Sequence, residues 1–504
     1  MWPRLDRKFL LHLILGMVGV LTILYSTRWG VGIAHDSFGY LSGAENLLRG
    51  QGYSHVTGMG QVEPTNQWPP LFSLALTPFG YVGINILEGA RWLNALLFGI
   101  NILLVGYVVY RNTSFWPSIF ASVLILTSVD LIQLHATAYS EPLYFFLGLC
   151  GLYSLARYIN SSKTYPLIIS ALFVSAATLT RYIGVTLIAT LCLSVLLLGK
   201  RGLRQRFVDC FITGVISSLP LLLLVIRNVV VSGHVVSYLA GFQTHLITAR
   251  HIKQGLNTIS LWLLPESISF GFRALALVAV VLVMLLMMTR LRNSRCSSFW
   301  YVNVIYAFVY GLALTLSITS VMPLIAYDFK YLSPVFISVV VVLTLSMYRI
   351  SLRASRRVGI VISVFCVLFS IFYVERAVFV VNNFHQNGLG YESPAWKQSK
   401  MISSIKNLPG DVQTYSNLPI LVHYLSQREI GELPWKSNPV TEKPSPDYLP
   451  KLQEIGATSQ SQRTVIIYVS WQSGYFPSED DLKQVLSLKE IIKAPEGSVY
   501  EVLH

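Results

Sequence analysis

The chain has 504 residues, 53% hydrophobic and 12% charged, with a mean hydropathy of +0.56. That excludes an ordinary soluble globule and indicates a polytopic membrane protein. The formal net charge is +14, but Arg and Lys cluster in short loops between apolar runs, as membrane orientation requires, and form no basic stripe interleaved with aromatics, so no nucleic-acid partner is expected.

Apolar periodicity predicts eleven spans, at 5–26, 90–110, 115–129, 142–158, 165–180, 183–198, 208–231, 272–288, 299–318, 332–347 and 358–381. Arg4, Arg7 and Lys8 precede the first run and place the N-terminus in the cytoplasm. No small-residue cleavage site follows that run, so a retained anchor is expected rather than a signal peptide. The clusters around Arg111, Arg157 and Lys163, Lys200 to Arg206, Arg290 to Arg295, and Arg349 to Arg357 then all fall on the inner side.

The first outer loop, 27–83, holds the most informative polar stretch, His35 to Tyr53. Asp36 opens a predicted amphipathic helix on which Tyr40, Ala44, Leu47 and Leu48 share a face, and Glu45 and Arg49 are spaced to pair. Asp36 reads equally well as an N-cap or as a carboxylate with a task at the membrane surface. Further along, Trp68-Pro69-Pro70-Leu71 opens a short apolar segment closed by Pro78 and Gly80, predicted to be a juxtamembrane helix.

Residues 385–504 are polar and predict a small α/β domain on the outer face, after a transmembrane domain over 1–384. Strands are predicted at 412–415 and 464–469, helices at 419–426 and 479–488 with Ser478 as N-cap, a Pro-rich loop at 439–450, and a hairpin around Pro495-Glu496-Gly497. There is no internal repeat. Cys150, Cys192, Cys210, Cys296 and Cys366 form no CxxC, and no disulfide framework or zinc site is expected.

Ionisable residues next to the membrane on the outer side are the candidates for chemistry. The acids are Asp36, Asp130, Glu141 and Asp328; the bases are Arg181, Arg227, Arg250, Lys253 and Lys330; His35, His55, His234, His245 and His251 lie in the same loops. A lipid phosphate needs a cation at headgroup depth, and a glycosyl acceptor needs a carboxylate to take its proton. Each also has a plain structural reading: Arg181 and Arg227 as span-end anchors, Glu141 before Pro142 as a helix-start acid, Asp328 as the partner of Lys330. The histidines show no HExxH or HxxxH pattern, and no metal or other cofactor is expected.

In order along the chain, four groups of residues resemble the GT-C superfamily of multispanning glycosyltransferases, in its protein O-mannosyltransferase and aminoarabinose transferase branch. They are Asp36-Ser-Phe-Gly-Tyr40 with Gly50-Gln-Gly-Tyr53; Trp68-Pro-Pro-Leu71 with Ala90-Arg-Trp-Leu-Asn94; Ser140-Glu-Pro-Leu143 with Thr180-Arg-Tyr182; and Asp328-Phe-Lys-Tyr-Leu-Ser-Pro334. Tyr415-Ser-Asn417 resembles the start of an outer domain found in bacterial members. The resemblance implies an integral protein of a bacterial-type inner or plasma membrane. It implies transfer of a hexosyl or pentosyl group from a polyprenyl-phosphate carrier to an extracytoplasmic glycan, lipid or protein. Asp36 is the implied general base and Glu141 the implied shaper of the site. Basic residues are implied to hold the donor phosphate, here Arg181 and Lys330 with Arg227 in reserve, and Tyr40, Tyr53 and Trp68 to line the substrate site.

Two positions depart from the pattern. Some relatives carry a lysine before the Pro-Pro pair where this chain has Trp68, which moves the expected phosphate contact to Arg181 or Lys330. The acid that protein mannosyltransferases carry beside the first aspartate is missing here, which argues against protein O-mannosylation and leaves the acceptor open. The competing reading is a transporter or flippase of lipid-linked sugars. It requires charged or broken segments at mid-membrane and two matching halves, and the sequence has neither.

Overall fold

The computed structural model describes residues 7–236, 246–291, 296–320, 327–353, 355–438, 443–470 and 474–503. Arg4, His245, Arg292, Arg295, Ala326 and the 439–442 part of the Pro-rich loop lie outside the described residues.

The membrane part is helical. It begins with α1 (Arg7–Ser26), α2 (His35–Leu48), a small hairpin of β1 (Ser54–Val56) and β2 (Val62–Pro64), and α3 (Leu71–Tyr81). There follow α4 (Ile86–Asn112), α5 (Phe115–Leu126), α6 (Val129–His135), α7 (Glu141–Ser161), α8 (Thr164–Thr180) and α9 (Val185–Leu198). The run closes with α10 (Leu203–Ser232), α11 (Ala249–Leu261), α12 (Phe270–Leu291), α13 (Ser298–Ser320), α14 (Phe329–Ser351) and α15 (Arg356–Asn387).

Each of the eleven expected spans coincides with helix, but the count is not reached by length. Among the described residues seven helices are long and apolar enough to cross a membrane, and α5 with α6, bent by 58°, make an eighth. The bend is set by Ser128, whose hydroxyl caps α6 just after α5 ends. At 1.5 Å per residue α8, with 17 residues, spans about 25 Å, short of a bilayer core. The helix α9 and the described part of α12, Phe270–Leu282, are likewise in the shorter class.

The spans divide by burial. In α4, α7 and α14 the most apolar window is 61, 67 and 56% buried, against 6% in α15 and 22% in α10. The first three are therefore the centre of the bundle, and two of them, α7 and α14, carry Glu141 and Lys330 in their first turns. Buried Asn94 and Asn101 on α4 carry polar groups into this centre.

The C-terminal region holds α16 (Pro394–Lys397), α17 (Lys400–Lys406), β3 (Gln413–Ser416), α18 (Pro419–Ser426), β4 (Gly431–Glu432), α19 (Tyr448–Thr458), β5 (Thr464–Val469), α20 (Glu479–Val485), β6 (Leu488–Ala494) and β7 (Gly497–Val502). The sheet order is β4-β3-β5-β7-β6, with β3 parallel to β4 and β5, and β7 antiparallel to β5 and β6. Alternation along β5 buries Val465, Ile467 and Val469 against α17 and α18, and Ile466 against α19 and α20. The sequence signals for β3, α18, β5, the Ser478 cap and the final hairpin are found in place. The helix α19 was not foreseen: it begins at the end of the Pro-rich segment, with Pro450 inside its first turn, where proline is tolerated.

The layer holding α17 and α18 does not end at the domain. Its apolar cluster continues through Val31, Ile33, Phe38, Tyr40, Trp68 and Phe72 of the first loop. Phe38 stacks on Tyr391 at 5.9 Å and packs on Tyr424 at 5.2 Å. The domain therefore lies on the same face of the bundle as α2. One close approach there is testable. A Cβ on Gly39 would stand 2.2 Å from the buried Trp68 ring, so Gly39→Ala should cost about 1–3 kcal/mol through overpacking, read as a lower melting temperature in detergent.

Candidate active site

The site begins with the cap of α2. The N-cap residue is Ala34, in extended backbone, and the Ser37 hydroxyl accepts its N–H at 3.1 Å. Asp36 is thus not the cap; it lies in the first turn with its carboxylate free to reach across the bundle end. Residues just before α2 pair with residues just before α7: Gly32 donates to Ala136 O and accepts from Ala138 N, both at 2.8 Å. From α4, Asn94 donates to Thr137 O at 2.7 Å and Asn101 to Pro142 O at 3.1 Å. These bonds satisfy backbone groups of a buried loop, which must be paired somewhere, and they set Glu141 opposite Asp36.

Four charged groups from four distant segments meet there. Lys330, in the first turn of α14, forms an ion pair and a hydrogen bond with Asp36, and its Nζ lies 3.8 Å from Glu141 Oε1. Arg181, the C-cap of α8, brings Nη1 to 2.6 Å from Glu141 Oε1 and donates to Ser140 Oγ at 3.3 Å. Ser140 in turn donates to the Tyr40 hydroxyl at 2.8 Å. Lys330 also sits 4.4 Å over the Tyr139 ring, a cation–π contact. The Glu141 side chain is 1% exposed, Lys330 11%, Arg181 14% and Asp36 26%. The cluster is neutral in sum, closed on the Glu141 side and open at Asp36. Among the described residues neither Glu141 oxygen accepts a hydrogen bond, so Arg181 and Lys330 meet this carboxylate as ion pairs.

Burial acts to raise the Asp36 carboxyl, but the Lys330 ammonium, with smaller help from His35 and Arg181, outweighs it and holds the group well below the usual carboxylate range. Burial pushes the Tyr40 phenol above its ordinary value, so it remains a neutral hydrogen-bonding group.

Of the four outer acids only Asp36 and Glu141 enter the cluster. Asp328 does not pair with Lys330 as expected; it caps α14 by accepting from Tyr331 N at 3.0 Å, which leaves Lys330 for Asp36. Asp130 accepts from Trp262 Nε1 at 3.2 Å. Arg227 donates to the carbonyls of Thr65 and Tyr53, the latter at 2.7 Å, so its guanidinium ties down the first loop. Tyr53 donates to the backbone oxygens of Trp68 and Pro69 and thereby shapes the Pro-Pro turn. Trp68 is buried beside His35, Tyr40 and His55, where a lysine in its place would need a partner. Burial lowers the His55 pKa. The sequence reading gave no role to Tyr139, Ser140, Asn94 or Asn101; polar residues within an apolar span were the available signal for the two asparagines.

Asp36 and Glu141 are each joined to a fixed cation, and among the described residues no three His, Cys, Asp or Glu side chains gather as a metal-ligand set. The set offers two cations to an anion.

No family model matches the chain, and no curated protein matches it. Solved structures do. The chain is similar to ArnT from Cupriavidus metallidurans bound to undecaprenyl phosphate, at 12% identity and a TM-score of 0.59, over 97% of each chain. It is also similar to the Archaeoglobus fulgidus oligosaccharyltransferase in complex with zinc and sulfate, at 11% identity and a TM-score of 0.55, over 90% of this chain and 68% of that one. A third is the mycobacterial arabinofuranosyltransferase AftD, at 11% identity and a TM-score of 0.50, over 97% of this chain and 41% of that one. The likeness runs over nearly the whole of this chain, so the chain shares the fold of these polytopic membrane proteins.

Proposed function

We propose that the protein is an integral-membrane glycosyltransferase that moves a sugar from a polyprenyl-phosphate carrier to an acceptor on the extracytoplasmic side. The N-terminus is cytoplasmic in this reading, and residues 385–504 form the extracytoplasmic domain attached to the transmembrane part. One observation carries it: two carboxylates and two cations from four separated segments converge at one end of the bundle, beside an opening at Asp36. The similarity to a protein solved with undecaprenyl phosphate supports the donor class.

The donor phosphate sits between Lys330 and Arg181, where it replaces carboxylate contacts with phosphate contacts. As Lys330 turns from Asp36 to the phosphate, the Asp36 carboxylate regains basicity, since the cation that holds its pKa down has moved. The acceptor O–H or N–H then attacks the anomeric carbon from the face opposite the phosphate. The bond from that carbon to the phosphate oxygen breaks, the bond to the acceptor forms, and the acceptor proton goes to Asp36, with inversion. Glu141 keeps Arg181 and Lys330 aimed at the phosphate. Tyr40 and Trp68 line the sugar side, while Arg227 and Tyr53 hold the loop that presents them.

Purified protein given a panel of polyprenyl-phosphate sugars and extracted membrane glycans should release free polyprenyl phosphate from one of them; release from none would count against the reading. Arg181→Ala and Lys330→Ala should each weaken donor binding about tenfold or more, as expected for lost charge-assisted contacts, measured by titration with labelled donor. Unchanged donor affinity in both variants would remove the phosphate assignment.

A further inference from the structure

A second cationic site lies outside this cluster. Arg273, near the start of α12, is 4% exposed. Its Nη2 donates to Asn257 Oδ1 of α11 at 2.8 Å, and among the described residues its Nε and Nη1 have no hydrogen-bond partner. Among the described residues no carboxylate forms an ion pair with it. An arginine stays charged, and a buried charge with unpaired N–H groups is costly unless an anion meets it.

The surroundings point to the anion. Lys253 and Asn257 are four apart and share a face of α11; Phe270 and Arg273 are three apart on α12, and the Lys253 ammonium lies 6.0 Å over the Phe270 ring. Lys253 is exposed and is likewise without an ion pair among the described residues. Two cations and an amide thus face one another across the α11–α12 groove. Exposed apolar side chains stand next in the chain to these groups: Ile252 and Leu256 beside Lys253 and Asn257, and Phe272 beside Arg273, are 55, 40 and 70% exposed. A positively charged pocket edged by exposed apolar side chains at a membrane helix end suits a headgroup phosphate with its acyl chains alongside.

The groove is not the donor site seen from another side. The opposite face of α11 carries Gly255 and Thr258. A Cβ on Gly255 would touch Tyr327, and Thr258 donates to Tyr327 O at 2.7 Å, three residues before Lys330. At about 100° per residue the two faces of α11 point roughly 150° apart, so the helix stands between Arg273 and the Asp36 cluster. We propose that Arg273, Asn257 and Lys253 bind the phosphate of an anionic membrane lipid, at a site separate from the sugar-transfer cluster and on the same membrane face.

The test is thermal unfolding of the purified full chain in a neutral detergent. Phosphatidylglycerol, monogalactosyldiacylglycerol (which has no phosphate) or inorganic phosphate is added, and lipid retention is read by native mass spectrometry. Phosphatidylglycerol should raise the melting temperature by several degrees and remain bound, and the phosphate-free lipid should do neither. Arg273→Gln should abolish that shift and lower retention at least tenfold without lowering the melting temperature in lipid-free detergent, since it removes an uncompensated charge. Lys253→Gln, on the surface and safe for folding, should reduce retention severalfold. Equal shifts and retention in wild type and both variants would overturn the site. A full, Arg273-dependent shift from inorganic phosphate alone would overturn the lipid as its ligand.

Discussion

Asp36→Asn should lower turnover about a hundredfold or more while donor binding persists. The substitution keeps the shape of the side chain and its place in the first turn of α2, and removes the only carboxylate in the cluster with substantial exposure. A capping role for Asp36 would make the change nearly silent, because Asn caps as well as Asp, but Ala34 occupies the cap position and Asp36 reaches Lys330 instead. Donor binding should even tighten modestly, because Lys330 no longer has to leave a carboxylate. Single-turnover transfer and donor titration on the same preparation separate the two effects; near-normal transfer would remove Asp36 as the base. The ion pair also has a pH signature. The folded-state pKa of Asp36 lies below its unfolded value of about 3.9, so its contribution to stability is complete above that value. It is lost as pH falls through the lower, folded-state value. Asp328→Asn should affect turnover far less, as the α14 cap survives it.

The second large effect is on stability. Glu141→Gln leaves Arg181 and Lys330 facing each other with one carboxylate fewer at a nearly buried position, and should destabilise the fold by about 3–5 kcal/mol. Arg181→Met should cost a similar amount, because Glu141 then keeps only Lys330 at 3.8 Å. The double variant Glu141→Gln with Arg181→Met removes one charge of each sign and should recover most of the loss. It should not recover transfer, because the phosphate has lost a cation. Chemical or thermal unfolding in detergent gives the three stabilities, and the donor titration gives the binding. Additive losses in the double variant would mean that the two side chains do not form a coupled pair.

Local chemistry is what the sequence by itself determined. Apolar runs located the seven helices that are long and apolar enough to cross a membrane among the described residues, and the bent α5–α6 pair, since burying backbone in lipid demands helix and helix demands such runs. The short apolar run Thr464 to Val469 and Ser478 as an N-cap located β5 and α20, which depend on neighbours a few residues away. Asp36, Glu141, Arg181 and Lys330 stood out because charges at the edges of apolar runs are costly and few. Their pairing was not legible. Asp328 and Lys330 are neighbours in the chain and were expected to pair. A cap bond to Tyr331 N claims the first, though, and the starts of α2, α7 and α14 and the end of α8 meet only after the bundle packs, so that Lys330 reaches Asp36 across 294 positions. Length against the bilayer, the 58° break at Ser128 and the Arg227 clamp on Tyr53 and Thr65 were likewise settled by tertiary structure. Which of several equivalent charges pair depends on distances between segments, and those are fixed by packing and not by spacing along the chain.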